Sequence, residues 1–191
     1  MRQKEMSEAT KKRLAAALKS LMVHKPLTKI TVNELVKECG LNRNSFYYHF
    51  EDIYALFKWM LEEEAVKVVK QYDLMMDYHE VINFVLDYVE ENQFLLAAVF
   101  HDIGQEGLKQ FLYMDFISCI RVWIDNGESK LHLSLSEDYK QFLGEFYSEA
   151  LAGILLEYLK NPNRRSREQV LAYTERILRS TLPVTLQCAN E

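Results

Sequence analysis

The 191-residue sequence predicts an all-α fold, and three observations carry that reading. Glycine and proline are scarce, at 6 and 3 residues, which leaves little of the turn chemistry that a many-stranded fold needs. Apolar residues recur at three- and four-residue spacing through most of the chain, the period of a helix with one buried face. Strand-like alternation is confined to KLHLSLS, residues 130–136, which reads better as a loop running into a Ser136 N-cap.

The same composition bounds the function classes. Hydrophobic content of 49% with 27% charged residues is ordinary for a folded chain, and no stretch reaches the ~18 apolar residues of a membrane span. The first residues hold no apolar run resembling a signal peptide. Cys39, Cys119 and Cys188 are odd in number, far apart and without CxxC spacing, so reduced thiols in a cytoplasmic protein are expected. GxGxxG, the P-loop, HExxH and a di-iron ExxH pair are all missing, which speaks against an enzyme, and no cofactor or metal is implied.

Residues 7–24 are expected to form the first helix, with Leu14, Ala17, Leu18, Leu21 and Met22 on one face and Pro26 beyond its end. Thr31-Val-Asn-Glu34 has the pattern of a capping box: the threonine hydroxyl accepts from the Glu34 amide while the glutamate reaches back. The helix it opens carries Leu35 and Val36 and stops at Gly40, a residue suited to a left-handed C-terminal cap. Asn42 then caps a third, short helix. Two short helices joined by a glycine-containing turn form a helix-turn-helix, whose second member normally enters the major groove.

From Asp52 one long helix is expected to run to about residue 72, its Glu62, Glu63 and Glu64 forming a solvated face. Further helical segments follow at 79–92, 93–103 and 107–126. The last two helices are expected at about 137–160 and 167–182, the first ended by Asn161-Pro162, the second capped by Ser166 and closed by Pro183.

Charge separates along the chain. The net charge is −5, yet the first sixty residues hold 11 Lys and Arg against 6 Asp and Glu, and the remainder 12 against 22. A basic N-terminal part suits a phosphate-bearing partner. On a wheel at 100° per residue, Phe46 and Phe50 of the third helix share one side. Asn44, Tyr47 and Tyr48 fall opposite, with Arg43 and Ser45 at the flanks near the start and His49 near the end. Arginine bonds guanine edges, Asn and Ser read bases or bind phosphate, and tyrosine hydroxyls reach phosphates. An aromatic helix that merely packed under another domain would leave Arg43, Asn44, Tyr47 and Tyr48 without partners, and His49 lacks a second metal ligand at i+3 or i+4. The expected partner is double-stranded DNA.

ITVNELVKECGLNRNSFYYHFEDIYAL, at the end of a stretch covering about residues 7–60, resembles the DNA-binding domain of the TetR (tetracycline-repressor-like) family of bacterial regulators. The residues that carry the resemblance are Thr31, Cys39-Gly40, Phe46-Tyr47 and His49-Phe50, with Cys39 where the family usually has alanine. The resemblance implies an all-α chain with a three-helix helix-turn-helix DNA-binding domain at 1–52 and a helical ligand and dimerisation domain at 53–191. It implies DNA contacts from Thr31, Arg43, Asn44, Ser45, Tyr47, Tyr48 and His49, beside the Asn42 cap. The family commonly has a phosphate-binding lysine where this chain has Ile53, and Lys25, Lys29 and Lys58 are the candidates to replace it.

The resemblance further implies a homodimer on a palindromic operator, joined through the last two helices, with Ala150, Ala152 and Gly153 allowing close approach. Repression is the usual mode, and activation stays open. The continuation FEDIYALFKWMLEEE is similar to a branch that includes dihydroxyacetone-kinase operon activators, which by itself assigns no regulon. Two readings of the aromatic- and methionine-rich middle section, including Met75, Met76, Phe84, Phe94, Phe116 and Trp123, stay open: the lining of a small-molecule effector pocket, or plain core. His79, His101-Asp102 and His132 are isolated ligand or switch candidates. A second function class also stands, a helical interaction protein of this family that acts through a partner and binds DNA weakly by itself; the loss of lysine at position 53 and the acidic body motivate it.

Overall fold

The computed structural model describes residues 2–73 and 77–188, with side chains from residue 5 onward. Met75 and Met76 lie outside the described residues. Among those described, the regular structure is helical throughout: α1 (Arg2–Met22), α2 (Val32–Glu38), α3 (Arg43–His49), α4 (Ile53–Leu61), α5 (Lys67–Val69), α6 (Tyr78–Glu91), α7 (Gln93–Lys130), α8 (Glu137–Lys160) and α9 (Arg167–Gln187). The chain divides into two compact units, Met1–Glu64 with Asn92–Gly104, and Ala65–Glu91 with Gln105–Glu191.

In the first unit α1 packs against α2, α3 and α4. Its core side chains Leu14 and Leu18 are fully buried, as are Leu35 of α2, Phe46 of α3 and Leu56 of α4. Helix α1 begins five residues earlier than the sequence pattern suggests and ends at Met22, with Val23 and His24 closing a last turn onto Lys19 and Leu21 carbonyls. The capping box forms as expected: Glu34 N donates to Thr31 Oγ1 at 3.3 Å and Thr31 N to Glu34 Oε2 at 2.9 Å. Gly40 takes φ +64°, with Leu41 N bonded to Val36 O at 2.8 Å and Gly40 N to Lys37 O at 3.2 Å. This double closure is a Schellman motif, and a side chain at position 40 would be strained in that backbone. Arg13 Nη2 donates to Cys39 O at 2.6 Å and so ties α1 to the same turn.

The long helix expected from Asp52 is not uniform. After α4 it widens into a π turn at Glu62–Val66 before α5 ends it. Glu62, Glu63 and Glu64 are half-buried rather than a solvated face, and Glu64 pairs with Lys19 of α1.

A second long-range tie lies within the same unit. Asp102, near the end of the α7 portion that belongs to it, accepts from Thr28 N at 2.8 Å and from Thr28 Oγ1 at 2.7 Å. Its side chain is 2% exposed. Two residues on, Gly104 at φ +71° interrupts α7, so the helices expected on either side of it are separate in backbone terms. The second of them runs past Gly127 to Lys130.

The second unit is built on α6 packed against α9, with α7 and α8 supplying further core. The apolar stripe of α8 splits into two rows. Leu143, Tyr147 and Leu155 are buried, whereas Phe142, Phe146 and Ile154 are exposed. Ala152 belongs to the buried row, while Ala150 faces out. Lys140 is 8% exposed and sits among three carboxylates: Asp125 at 3.2 Å, Glu128 at 2.5 Å and Glu137 at 3.3 Å. Hydrogen bonds to Glu128 and then to the other two hold its ammonium above the ordinary lysine range against the opposing effect of burial. A buried cation requires such partners.

Pro183 does not close the last helix, contrary to the expectation from sequence. Helix α9 continues through it to Gln187. Leu182 and Leu186, on either side, are 1% and 0% exposed. Burial of two leucines at about 1.5–3 kcal/mol each outweighs a missing backbone donor at about 3 kcal/mol.

Replacement of Asp102 by alanine leaves the Thr28 amide and hydroxyl without their charged acceptor. Unfolding in urea should show Asp102→Ala destabilised by about 1.5–3 kcal/mol, the range for hydrogen bonds to a charged group. An unchanged midpoint contradicts the tie.

Candidate nucleic-acid interface

Three local devices set the third helix. Asn42 caps it, its Oδ1 accepting from Ser45 N at 2.9 Å and from Ser45 Oγ at 3.1 Å. Asp52 caps the next helix through Ala55 N at 2.7 Å, which fixes where α3 must stop. Between them Phe46 and Phe50, 0% and 7% exposed, face the core with ring centroids 6.1 Å apart. Phe50 also meets Trp59 of α4 at 5.7 Å.

The opposite side is open to solvent. Tyr47 is 50% exposed and Tyr48 76%, and Arg43 and Asn44 are exposed beside them. The Arg43 guanidinium lies 5.7 Å from the Tyr47 ring centre, and its Nη2 is 3.4 Å from the Tyr47 hydroxyl. Arginine and tyrosine thus meet as one hydrogen-bonding pair on the helix surface. His49 is half-buried and meets Tyr48 edge-on at 4.8 Å. Burial, reinforced by the positive charge of Lys11, holds its imidazole below the usual histidine range, so at neutral pH the ring offers one donor and one acceptor.

The eight residues singled out in the sequence therefore fall into two groups. Arg43, Asn44, Tyr47 and Tyr48 present free or shareable polar atoms on one face. Thr31, Asn42 and Ser45 have oxygens engaged in the caps: the Thr31 hydroxyl donates to Glu34 Oε2 at 2.7 Å, and Ser45 Oγ donates to Asn42. His49 stands at the edge of the face. Of the lysines considered in place of a basic residue at Ile53, Lys25 is paired with Glu34 at 2.6 Å, while Lys29 and Lys58 are exposed.

Asp102, considered with His101 as a ligand or switch candidate, instead binds Thr28 from 74 residues away, and Arg13 binds Cys39 O from 26 residues away; sequence reasoning missed both ties. No spacing in the sequence points to either.

A short solvent-facing helix held by a capped, glycine-closed turn, and carrying Arg, Asn and Tyr, defines a helix-turn-helix DNA-binding protein. Residues 14–60 match the family described as bacterial regulatory proteins of the tetR family, and residues 76–180 match a transcriptional regulator C-terminal region of the same grouping. The chain belongs to the TetR family of transcriptional regulators. It is 21% identical over 154 residues, 81% of each chain, to the HTH-type dhaKLM operon transcriptional activator DhaS of Lactococcus lactis subsp. lactis (strain IL1403). The solved structure of the dihydroxyacetone kinase operon activator DhaS shares its fold with a TM-score of 0.68 at 20% identity, covering 92% of this chain and 97% of that one. NalD of Pseudomonas aeruginosa, described as the secondary repressor of the MexAB-OprM multidrug efflux pump, follows with a TM-score of 0.54 at 15% identity, covering 90% and 96%. The chain is thus a DNA-binding transcriptional regulator, and among its described residues no helix is long and apolar enough to cross a membrane.

Glu34 gives the motif a pH dependence. Hydrogen bonds from Lys25, then from the Thr31 hydroxyl and amide, pull its carboxyl from about 4.5 down to about 2. A depressed folded-state value means that the unfolded chain binds the proton first as pH falls. The stabilisation is complete above pH 4.5 and disappears as pH approaches 2. Chemical denaturation across that window should give a shallower acid loss for Glu34→Gln than for the parent; identical slopes contradict the assignment.

Proposed function

We propose that two copies of this chain bind a palindromic operator, each placing α3 in the major groove. The observation that carries this reading is the solvent-facing row of Arg43, Asn44, Tyr47 and Tyr48 on a helix whose opposite side is locked by Phe46. In this proposal Arg43 and Asn44 read base edges, while Tyr47, Tyr48 and His49 engage phosphates and thymine methyls. Thr31 and Ser45 serve by fixing the two helix starts, and the Asn42 amide group donates to phosphate. Lys29 and Lys58 supply the backbone anchorage that Ile53 cannot.

Dimerisation through α8 and α9 is supported by the apolar groups they leave in water. Phe142, Phe146 and Ile154 of α8 are 59%, 59% and 40% exposed, and Tyr173, Ile177 and Val184 of α9 are 49%, 53% and 53% exposed. They recur at helical spacing, beside the exposed Ala150 and the half-buried Gly153, whose missing side chain leaves open space. Such a self-complementary stripe suits a two-fold four-helix contact. With half-sites about 34 Å apart, the dimer sets the operator spacing. An effector bound in the C-terminal region would act by favouring one of two spacings. Activation is as open to this chain as repression, since the relative DhaS is described as an activator.

Selection of genomic fragments at low salt should recover a palindromic site; recovery of none favours the partner-dependent reading. On that site Arg43→Ala should lose about 1–3 kcal/mol and relax preference at one base pair, whereas Tyr47→Phe should weaken all sequences alike. Sedimentation at micromolar concentration should show a dimer, and Phe142→Asp with Phe146→Asp should convert it to monomer. A monomeric parent chain overturns the α8–α9 interface.

A further inference from the structure

Glu34 is an awkward residue for the first turn of α2. The first helix of a helix-turn-helix crosses the DNA backbone, so a carboxylate there stands near phosphates of the same sign. It cannot swing clear, because the capping box holds it: Oε2 accepts from Thr31 N at 2.9 Å and from Thr31 Oγ1 at 2.7 Å. The cap does not need the charge, since glutamine closes the same box. The side chain is 47% exposed, so its own unit does not hide it from a bound duplex.

Lys25 meets the other carboxylate oxygen. Its Nζ donates to Glu34 Oε1 at 2.6 Å, and its side chain is 26% exposed. The backbone brings it there by fixed means. Lys25 N donates to Leu21 O at 3.2 Å beyond the end of α1, Pro26 follows at φ −62°, and the buried Leu27 and Ile30 pin the connection to α2. The hydrogen bond from Lys25 is also the largest influence that holds the Glu34 carboxyl down at about 2, so at neutral pH both partners are charged.

We infer that Lys25 serves DNA binding through Glu34: it cancels the charge of the capping carboxylate beside the strand that α2 crosses, and makes no phosphate contact of its own. An ammonium neutralised by a carboxylate adds little to the neutralisation of phosphate, which leaves that task to exposed lysines such as Lys29. This role rests on the major-groove reading of α3 above, which lays α2 along the backbone.

Three variants separate the roles open to Lys25. The probe is a labelled random-sequence duplex, whose binding depends on phosphate rather than sequence, titrated with the full-length chain at about 0.01 M and about 0.1 M salt. Lys25→Met uncovers the carboxylate and should weaken binding about three- to tenfold at the lower salt, with a smaller loss at the higher. Lys25→Gln, which can still hydrogen-bond Glu34 without charge, should behave in the same way. Glu34→Gln keeps the cap without the charge and should tighten binding by a similar factor. The double variant Lys25→Met with Glu34→Gln has the parent's local net charge and should bind within about twofold of the parent. If Lys25 contacts phosphate itself, the double variant stays as weak as Lys25→Met. If the bridge is merely structural, Glu34→Gln weakens binding just as Lys25→Met does. Either result overturns the screening role. A parent that binds no duplex at low salt overturns it together with the major-groove reading, whereas failure to select a palindrome, with this order of affinities kept, overturns the two-fold operator alone.

Discussion

Burial of the Phe46 ring, with Phe50 one turn further on, fixes the rotation of α3 about its own axis. Phe46 has no exposed surface and belongs, with Leu14, Leu18 and Leu35, to the fully buried core of the first unit. Removal of such a ring from water contributes about 1.5–3 kcal/mol, and each residue of rotation swings the face by 100°. A turn of that size would drive Tyr47 or Arg43 inward, where the hydroxyl or guanidinium would lose water without gaining a partner. The exposed polar chemistry of α3 is thus set from behind. Tyr47 stands edge-on to Phe46 at 5.3 Å, so even the exposed ring leans on the buried one.

What the sequence showed of this arrangement was its local part. The Thr31 capping box, the Asn42, Ser136 and Ser166 caps, the left-handed Gly40 and the two faces of α3 all formed where their spacing said they would. Each depends on residues within one or two turns, which is the range over which a pattern can be read. Arg13 to Cys39 and Thr28 to Asp102 lie outside that range, and neither side chain differs in sequence from an ordinary surface charge. Pro183 failed as a stop signal for the same reason in reverse: the propensity was read correctly, but burial of Leu182 and Leu186 overrode it. The glutamate run at 62–64 misled because the helix changes its turn there, which no composition reveals.

Helix α8 carries more apolar residues than its own unit can cover. Its thirteen apolar positions are too many for a single buried face, and the structure divides them between the core of its own unit and the solvent. Tyr147 belongs to the inner row, its hydroxyl bonded to Thr181 at 3.0 Å, while Phe146 beside it points out. The aromatic middle section resolves in a similar way. Phe116 and Trp123 border a cavity, Tyr78 is sealed in the core, and Phe94 and Phe100 are exposed. Aromatic enrichment marked the region without distinguishing these fates, because packing partners on other helices decide them.

The Thr28–Asp102 tie bears on how interchangeable the halves of such a protein are. The chain passes between its two compact units three times, after residues 64, 91 and 104, so the first unit is not one uninterrupted stretch of sequence. A chimera spliced after α4 would carry the whole helix-turn-helix yet set a foreign residue opposite Thr28. Lineages that recombine DNA-reading and signal-receiving parts at that seam would have to keep an acceptor in the returning helix, a constraint that the motif itself does not announce.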